Sequence, residues 1–142
     1  MPLVRRATTV LLRSPLRRVL DGTVLLITVT GRRTGHPYTL PVQYAVGDGV
    51  VWLLPGHPER KTWWRNLEQP APVDLDLAGR LVHGKGEALR GTTEPELVAQ
   101  GLRAYLRRFP SLGPRWRVGP EGPAPDLVAS TVIVRVVPDL PL

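Results

Sequence analysis

The sequence predicts a mainly β domain of the α+β class, built as a small barrel of about six antiparallel strands. Short runs of β-branched and apolar residues are separated by turns rich in glycine, proline and aspartate, and several of these turns have hairpin length. Helical periodicity is confined to the N-terminus, a short insertion and one segment before the last strand. Strands and helices do not alternate regularly, and no glycine-rich nucleotide motif is present, which excludes a doubly wound sheet. A chain of 142 residues, 42% of them hydrophobic, fits one such domain.

The first 20 residues differ from the rest in charge and periodicity. Leucines and valines recur there at helical spacing with arginines between them, and Ser14-Pro15 interrupts the pattern. This stretch carries five arginines and no acid, so the remainder holds only +2 of the net charge of +7. The sequence therefore predicts a basic amphipathic helical segment over residues 1–20 and the barrel over residues 21–142. The segment either packs on the barrel through its leucines or lies on an anionic membrane surface or a second subunit.

Three strands are predicted in the first half of the barrel. Val24–Thr30 is a continuous apolar run, typical of a fully buried strand, and a polar turn follows at residues 31–37. Tyr38–Val46 alternates between the two faces as a strand with one inward side does. Pro41 cannot donate a ladder hydrogen bond, which predicts a sheet edge or a bulge there. A Gly-Asp-Gly hairpin leads into a third strand over Val50–Leu54.

A loop, a short helix and a hairpin come next. The loop covers residues 55–61, and Thr62–Leu67 is predicted as a helix with Thr62 as its N-cap. The alternation in Val73–Leu77, followed by an Ala-Gly-Arg turn, predicts a hairpin into a strand that begins at Leu81.

One longer helix and one strand complete the prediction. Thr93 and Glu96 have the spacing of a capping box, which predicts a helix that continues to about Phe109. The loop over residues 113–125 is rich in glycine and proline and long enough to be a functional cover. Alternating valines then predict a last strand over residues 132–136.

Composition excludes several kinds of site. The chain has no cysteine, which rules out disulfides, thiolate catalysis and cysteine-bound metals. Its three histidines are far apart in sequence, so no metal site is predicted, although His57 lies where it could donate a proton. No nucleic-acid-binding signature accompanies the positive charge, so specific nucleic-acid binding is not expected. Because no apolar run approaches the roughly 20 residues of a membrane span, we expect a cytoplasmic protein, associated with membranes only through residues 1–20.

The turn at residues 31–37 is a candidate anion site. Two arginines and a threonine lie between Gly31 and Gly35. Glycines allow successive amide groups to point into one concavity, and guanidinium groups add bidentate donors for a phosphate or carboxylate. A solvated polar hairpin has the same composition, so the turn alone does not identify a ligand.

A second candidate site is the predicted short helix, where Trp63 and Trp64 lie among cations and an amide. Adjacent helical side chains point about 100° apart, so the two indoles are not expected to face the same core. Either one indole packs in the core while the charges face water, or the set binds a planar ring with an anionic tail. In the second case the helix N-terminus and Lys61 would hold the negative charge. We then expect the helix and the arginine turn to face each other across one groove.

Together these two segments resemble the deazaflavin-dependent nitroreductase family, which consists of split β-barrel proteins of the FMN-binding superfamily that use coenzyme F420. The family pattern is an apolar strand ending in a T-x-T-G-R-[KR]-[ST]-G turn, then a proline-bearing strand, a hairpin and a W-[YW]-x-N-L helix. This chain has TVTGRRTG at residues 28–35, Pro41, and WWRNL at residues 63–67. The similarity covers about residues 25–89.

The resemblance implies a split β-barrel that binds coenzyme F420 and transfers a hydride to a small acceptor such as a quinone, a nitro compound or an enone. The arginine turn would contact the phosphate and anionic tail, and the second strand would run along the deazaflavin ring. The end of the third strand and the short helix would close the two sides. The chemistry would belong to the cofactor, so no catalytic side chain is assigned. The implied cofactor-binding residues are Arg32, Arg33, Thr34, Tyr38, Thr39, Leu40, Pro41, Val42, Gln43, Leu53, Leu54, Pro55, Gly56, Lys61, Thr62, Trp63, Trp64 and Asn66.

The sequence departs from the family pattern in three places. Tyr38 stands where many members have an arginine, and Pro55–Glu59 replaces a serine- and glycine-rich loop. The tyrosine cluster of nitroimidazole-reducing members is missing from Phe109–Trp116, which favours a quinone or another activated alkene as the acceptor. An oxidoreductase that binds FMN in the same fold and a non-catalytic ligand-binding module are the alternative functions. A homodimer is an expectation from the family only.

Overall fold

The structure, a computed structural model, describes residues 22–142. The helical segment predicted over residues 1–20, and with it the boundary between the two predicted parts of the chain, lies outside the described residues. Within residues 22–142, no helix combines the length and the hydropathy needed to cross a bilayer.

Six strands and four helical segments form the described part of the chain. The strands are β1 (Val24–Thr30), β2 (Pro37–Gly47), β3 (Val50–Leu53), β4 (Ala71–Leu77), β5 (Arg80–Arg90) and β6 (Val132–Pro138). A 3₁₀ helix spans Trp63–Leu67, and the α-helices are α1 (Pro95–Arg108), α2 (Leu112–Arg115) and α3 (Pro125–Ser130).

All six strands pair antiparallel and close into a barrel in the order β1-β2-β3-β6-β5-β4, which confirms the predicted fold class. Because alternate strand residues point to opposite faces, the barrel buries two layers of side chains. Leu25, Ile27 and Val134 belong to the interior layer, and Trp52 and Ile133 lie in the layer under α1. The helix approaches closely because Gly101 has no side chain. A Cβ there would lie 2.6 Å from both Trp52 Cε3 and Ile133 Cδ1.

The differences from the predicted elements concern the helices. Thr62 occupies the N-cap position of the short helix, but its side chain makes no capping hydrogen bond, and the helix is of the 3₁₀ type. The predicted capping box is wrong, because α1 begins at Pro95 and the Thr93 hydroxyl donates to the Arg90 carbonyl (3.4 Å) in the preceding turn. The chain after Phe109 also contains α2 and α3, neither of which was predicted.

Pro41 lies at a local edge of the barrel. It pairs with Leu26 of β1 in continuous register, so the alternative of a bulge is wrong. On its other side, β3 pairs with β2 only from Tyr44 to Gly47. The Gln43 carbonyl faces the β3 side, where it accepts a hydrogen bond from Tyr105. Since residues two apart present their backbone groups to the same side of a strand, the missing N–H of Pro41 falls where β3 no longer pairs.

Candidate functional site

Strands β2 and β3 separate at a single hydroxyl group. Their last pair is Tyr44 with Leu53, and the next would be Gln43 with Leu54. The phenol of Tyr105, which is fully buried on α1, lies between them: it donates to the Gln43 carbonyl (2.6 Å) and accepts from the Leu54 N–H (2.8 Å). Burial raises the pKa of Tyr105, so the phenol stays protonated and able to donate. The hydroxyl satisfies both backbone groups, and the barrel opens beyond it.

A cavity of about 580 Å³ begins where the two strands separate, and we call it the split cavity. This volume is usual for a small-molecule site. Most of the lining is apolar. It comes from the part of β2 that does not pair with β3, from the chain after β3 and from the residues just before the 3₁₀ helix. The residues from these segments are Leu40, Pro41, Val42, Gln43, Leu54, Pro55, Gly56, Pro58, Lys61 and Trp63, and Val24, Leu102 and Val132 complete this part of the wall.

The remaining wall of the split cavity comes from the region of α2 and α3, none of whose residues was among the predicted cofactor-binding residues. It consists of Leu112, Arg115, Trp116, Leu127, Ser130 and Thr131. The predicted cover over residues 113–125 was a signal for part of this wall, since Arg115 and Trp116 fall within it. His57, considered as a proton donor, is not a lining residue; it is exposed and lies 3.6 Å from a carboxylate oxygen of Glu59.

The arginine turn and the 3₁₀ helix are in direct contact. The main-chain N–H of Arg32 donates to Asn66 Oδ1 (2.8 Å), and Asn66 Nδ2 donates to the Tyr38 hydroxyl (2.5 Å) and to the Trp63 carbonyl (2.9 Å). Within the turn, the Gly31 N–H donates to the His36 carbonyl (2.8 Å). One amide side chain thus ties the turn, strand β2 and the short helix together.

A second cavity, of about 450 Å³, lies at this contact, and we call it the cation pocket. Its lining residues are Gly31, Arg32, Arg33, Thr34, Tyr38, Thr62, Arg65 and Asn66. The two cavities adjoin along β2, where Tyr38 lines the cation pocket and Leu40 lines the split cavity. They also adjoin just before the 3₁₀ helix, where Thr62 lines the cation pocket and Lys61 lines the split cavity. The single groove that the sequence predicts is therefore divided into two neighbouring cavities.

The cation pocket is rich in hydrogen-bond donors. Within residues 22–142, three arginines and no carboxylate line it. At its margin, Glu68 lies 3.5 Å from Arg32 and 3.4 Å from Arg90. The Nε atom of Arg65 is buried and makes no hydrogen bond among the described residues. Because arginines predominate among its lining residues, the pocket is suited to an anion that brings oxygen atoms.

Three of the predicted cofactor-binding residues line neither cavity. The Thr39 hydroxyl is hydrogen-bonded to Thr28 (2.7 Å) on β1, and Leu53 is fully buried inside the barrel. Trp64 Nε1 donates to the Pro58 carbonyl (3.0 Å). The expectation that the two indoles do not face the same core is wrong, because both pack in the barrel interior. Trp63 lies at the margin of that core, where its large ring also lines the split cavity.

Comparisons with known proteins bear on this arrangement. Residues 5–107 match the model of the F420H2-dependent quinone reductase family. A solved structure of an F420-H2 dependent reductase (FDR-A) is similar with a TM-score of 0.58 and 14% identity, covering 80% of this chain and 93% of that one. No curated protein gives a significant sequence match.

Two further solved structures have a similar fold. A FAD and heme binding protein from Mycobacterium smegmatis has a TM-score of 0.52 and 13% identity over 88% of this chain and 65% of that one. A protein described as a domain-swapped dimer has a TM-score of 0.55 and 13% identity over 91% of this chain and 98% of that one. At these identities the structures support the fold.

Proposed function

The chain belongs to the F420H2-dependent quinone reductase family, and from that premise we propose that it transfers a hydride from reduced coenzyme F420 to a quinone or a related activated acceptor. One observation supports this proposal above the others: the split cavity, which has the size and apolar lining for a ring system, adjoins a pocket lined by arginines. A flat ring with a polyanionic tail needs both environments side by side.

The split cavity suits the deazaflavin ring because β2 presents backbone groups to it without a partner strand. Pro41 has no N–H to leave unsatisfied there, and its ring adds a flat apolar surface. A Cβ built on Gly56 would meet no atom within 4 Å, so the opposite wall is also open. The proposed ring contacts are Leu40–Gln43 on one side and Leu54–Gly56 with Trp63 on the other.

The cation pocket suits the phosphate and the oligoglutamate tail of the cofactor. Guanidinium groups of Arg32, Arg33 and Arg65 supply bidentate donors, and the Thr34 and Thr62 hydroxyls add single donors. The Arg65 guanidinium also lies over the Trp64 ring, 5.1 Å from its centroid, so Arg32 and Arg33 are the main candidates for direct contact with the anion. The predicted contacts at Thr39, Leu53 and Trp64 would be indirect, because these side chains line neither cavity.

The bound cofactor would supply the hydride, and the residues of this chain would position the acceptor and control charge and water. A quinone that accepts a hydride gains negative charge on an oxygen atom and then takes a proton from water. Lys61 lines the split cavity beside the 3₁₀ helix, so it can stabilise this charge. The apolar wall excludes water from the reacting face.

The experiment is a comparison of three ligands followed by a turnover assay. Fluorescence titration with coenzyme F420, FMN and heme is expected to show saturable binding of F420 at a lower concentration than the other two. Reduced F420 is then mixed with menadione, and its reoxidation is expected only with the protein present. Preferential binding of FMN would favour the alternative flavoprotein, and F420 binding without turnover with quinone, nitro or enone acceptors would favour a binding module.

We also propose that residues 1–20 mediate peripheral contact with anionic membranes and that the protein forms a homodimer. The basis for the first is the five arginines among leucines in that segment. Full-length protein should sediment with vesicles containing phosphatidylglycerol, and a variant lacking residues 1–20 should not.

Analytical ultracentrifugation of the full-length protein and of the shortened variant tests the proposed dimer, and a monomer at micromolar concentration would contradict it.

A further inference from the structure

The wall of the split cavity formed by α2 carries a cation with no assigned role. Arg115 and Trp116 line the cavity at the C-terminal end of α2, and both come from the part of the chain beyond the cation pocket. Arg115 is exposed and forms no ion pair among the described residues, in contrast to Arg32, Arg90 and Arg135, each of which contacts a glutamate. No carboxylate lines the split cavity either. The positive charge of Arg115 is therefore available to whatever occupies the cavity.

The cofactor does not account for this charge. Its anionic tail is already matched by the three arginines of the cation pocket, which is built from the turn, β2 and the 3₁₀ helix. Helix α2 contributes no residue to that pocket. Its residues border the apolar part of the split cavity instead, with Leu112 and Trp116 beside Arg115. An indole next to a guanidinium is a suitable surface for a planar molecule that carries a negative group.

We propose that the acceptor is a planar quinone carrying an ionised acidic group, such as a carboxylate, sulfonate or enolate, and that Arg115 is the residue that selects it. This inference rests on the proposed quinone reductase function and adds the class of acceptor. Trp116 contacts the ring system, and Arg115 binds the acidic substituent. The reaction would remain a two-electron reduction: the bound cofactor would supply the hydride and release one proton to solvent, and the quinone would take up the hydride and one proton from water to give the hydroquinone.

The test compares two acceptors that differ in charge, 1,4-naphthoquinone-2-sulfonate and the neutral menadione. Arg115→Gln is expected to lower kcat/KM for the sulfonate about tenfold, through a higher KM, and to change the value for menadione less than twofold. Arg115→Lys should retain most of the sulfonate activity. The matched control is Arg117→Gln, which makes the same charge change two residues away without lining the cavity, and it should affect neither acceptor. Because each variant is compared with the wild type on the same acceptor, differences in redox potential between the quinones cancel.

A binding measurement keeps this inference separate from the proposed function. Naphthoquinone sulfonate should quench tryptophan fluorescence of the oxidised, F420-loaded protein saturably, and Arg115→Gln should raise the half-saturating concentration about tenfold. If wild-type protein reduces neither quinone, the proposed function fails, and the quenching titration still decides whether Arg115 binds an acidic planar ligand. Equal losses for both acceptors in Arg115→Gln, or no loss for the sulfonate in either measurement, would overturn the assignment of Arg115.

Discussion

Two strand pairs of the same barrel, β4–β5 and β2–β3, differ in how far their hydrogen-bond ladders extend. Strands β4 and β5 pair without interruption from Ala71 with Gly86 to Leu77 with Arg80, whereas β2 and β3 pair over four positions and then separate. The separation does not come from poor strand-forming residues, because β2 continues in register with β1. It comes from a side chain of another element, the phenol that occupies the next ladder position. The candidate site therefore lies where the β2–β3 hydrogen-bond ladder ends, and the uninterrupted strand pairs keep the rest of the barrel closed.

The largest effect is expected where the continuous part of the barrel meets α3, at Gly91. Its N–H donates to the Thr131 carbonyl (2.9 Å), and a Cβ there would lie only 1.5 Å from the Val128 carbonyl oxygen. Gly91→Ala must displace backbone, so we expect a loss of about 3 kcal/mol or more in the free energy of unfolding, at the upper end for overpacking. Urea unfolding measures this. Gly113→Ala is the control, since a Cβ there meets nothing within 4 Å, and equal stability of the two variants would contradict the prediction.

The next effect is expected at the split itself. Tyr105→Phe leaves the Gln43 carbonyl and the Leu54 N–H without their shared partner, which should cost about 1–3 kcal/mol of stability. Because both groups border the split cavity, F420 affinity should also fall, by about tenfold. Val98→Ala is the matched control: it removes buried volume from the same helix and should reduce stability similarly while leaving affinity unchanged. If the two variants bind the cofactor equally, the hydroxyl has no part in shaping the cavity.

Replacing the two turn arginines should affect binding more than folding. Arg32→Ala with Arg33→Ala should weaken F420 affinity at least about tenfold, on the scale of lost charge-assisted hydrogen bonds. The turn itself should persist, because Arg32 contacts Asn66 through its main-chain N–H. Fluorescence titration provides the measurement. Arg103→Ala with Arg117→Ala removes the same charge outside both cavities, and an equal loss of affinity there would mean that the arginines act only through net charge.

The smallest effect is expected on the continuous seam between β4 and β5. The hydrogen bond and charge of Asp74 raise the pKa of His83 above 6.5, with a further contribution from the charge of Asp139. A histidine with a raised pKa in the folded state stabilises the fold fully below its ordinary pKa, and this contribution is lost as the pH rises through the raised value. The side chain is 68% exposed, so the effect should be slight.

His83→Gln should accordingly flatten the dependence of the urea midpoint on pH between about 6 and 8. His36→Gln is a suitable control, since no carboxylate contacts His36 among the described residues. A wild-type midpoint that rises with pH over this range, and does so because of His83, would contradict the assigned direction.

The features that could be predicted from sequence are those encoded locally. Alternating or continuous apolar runs gave the strands, and glycine turns gave the hairpins. The turn around Arg32 and the helix around Trp63 could be identified because each contains a short motif with a fixed order of residue types. Tyr105 could not, since its hydrogen bond joins residues 62 positions apart and its helical spacing predicts only a core residue. Helices α2 and α3, of four and six residues, are too short for periodicity to reveal, so the sequence predicts only a cover near Arg115 and not the wall that these helices form.

Pro41 has one more consequence, for the behaviour of the protein at high concentration. An open strand edge is a template for pairing with another chain, and such pairing leads to aggregation. The first part of β2, from Pro37 to Gln43, is an edge of this kind within an otherwise closed barrel. A proline there removes one of the donors that an incoming strand would need, so the same residue that leaves the edge open to a ligand also makes it a poor template for fibril-like assembly.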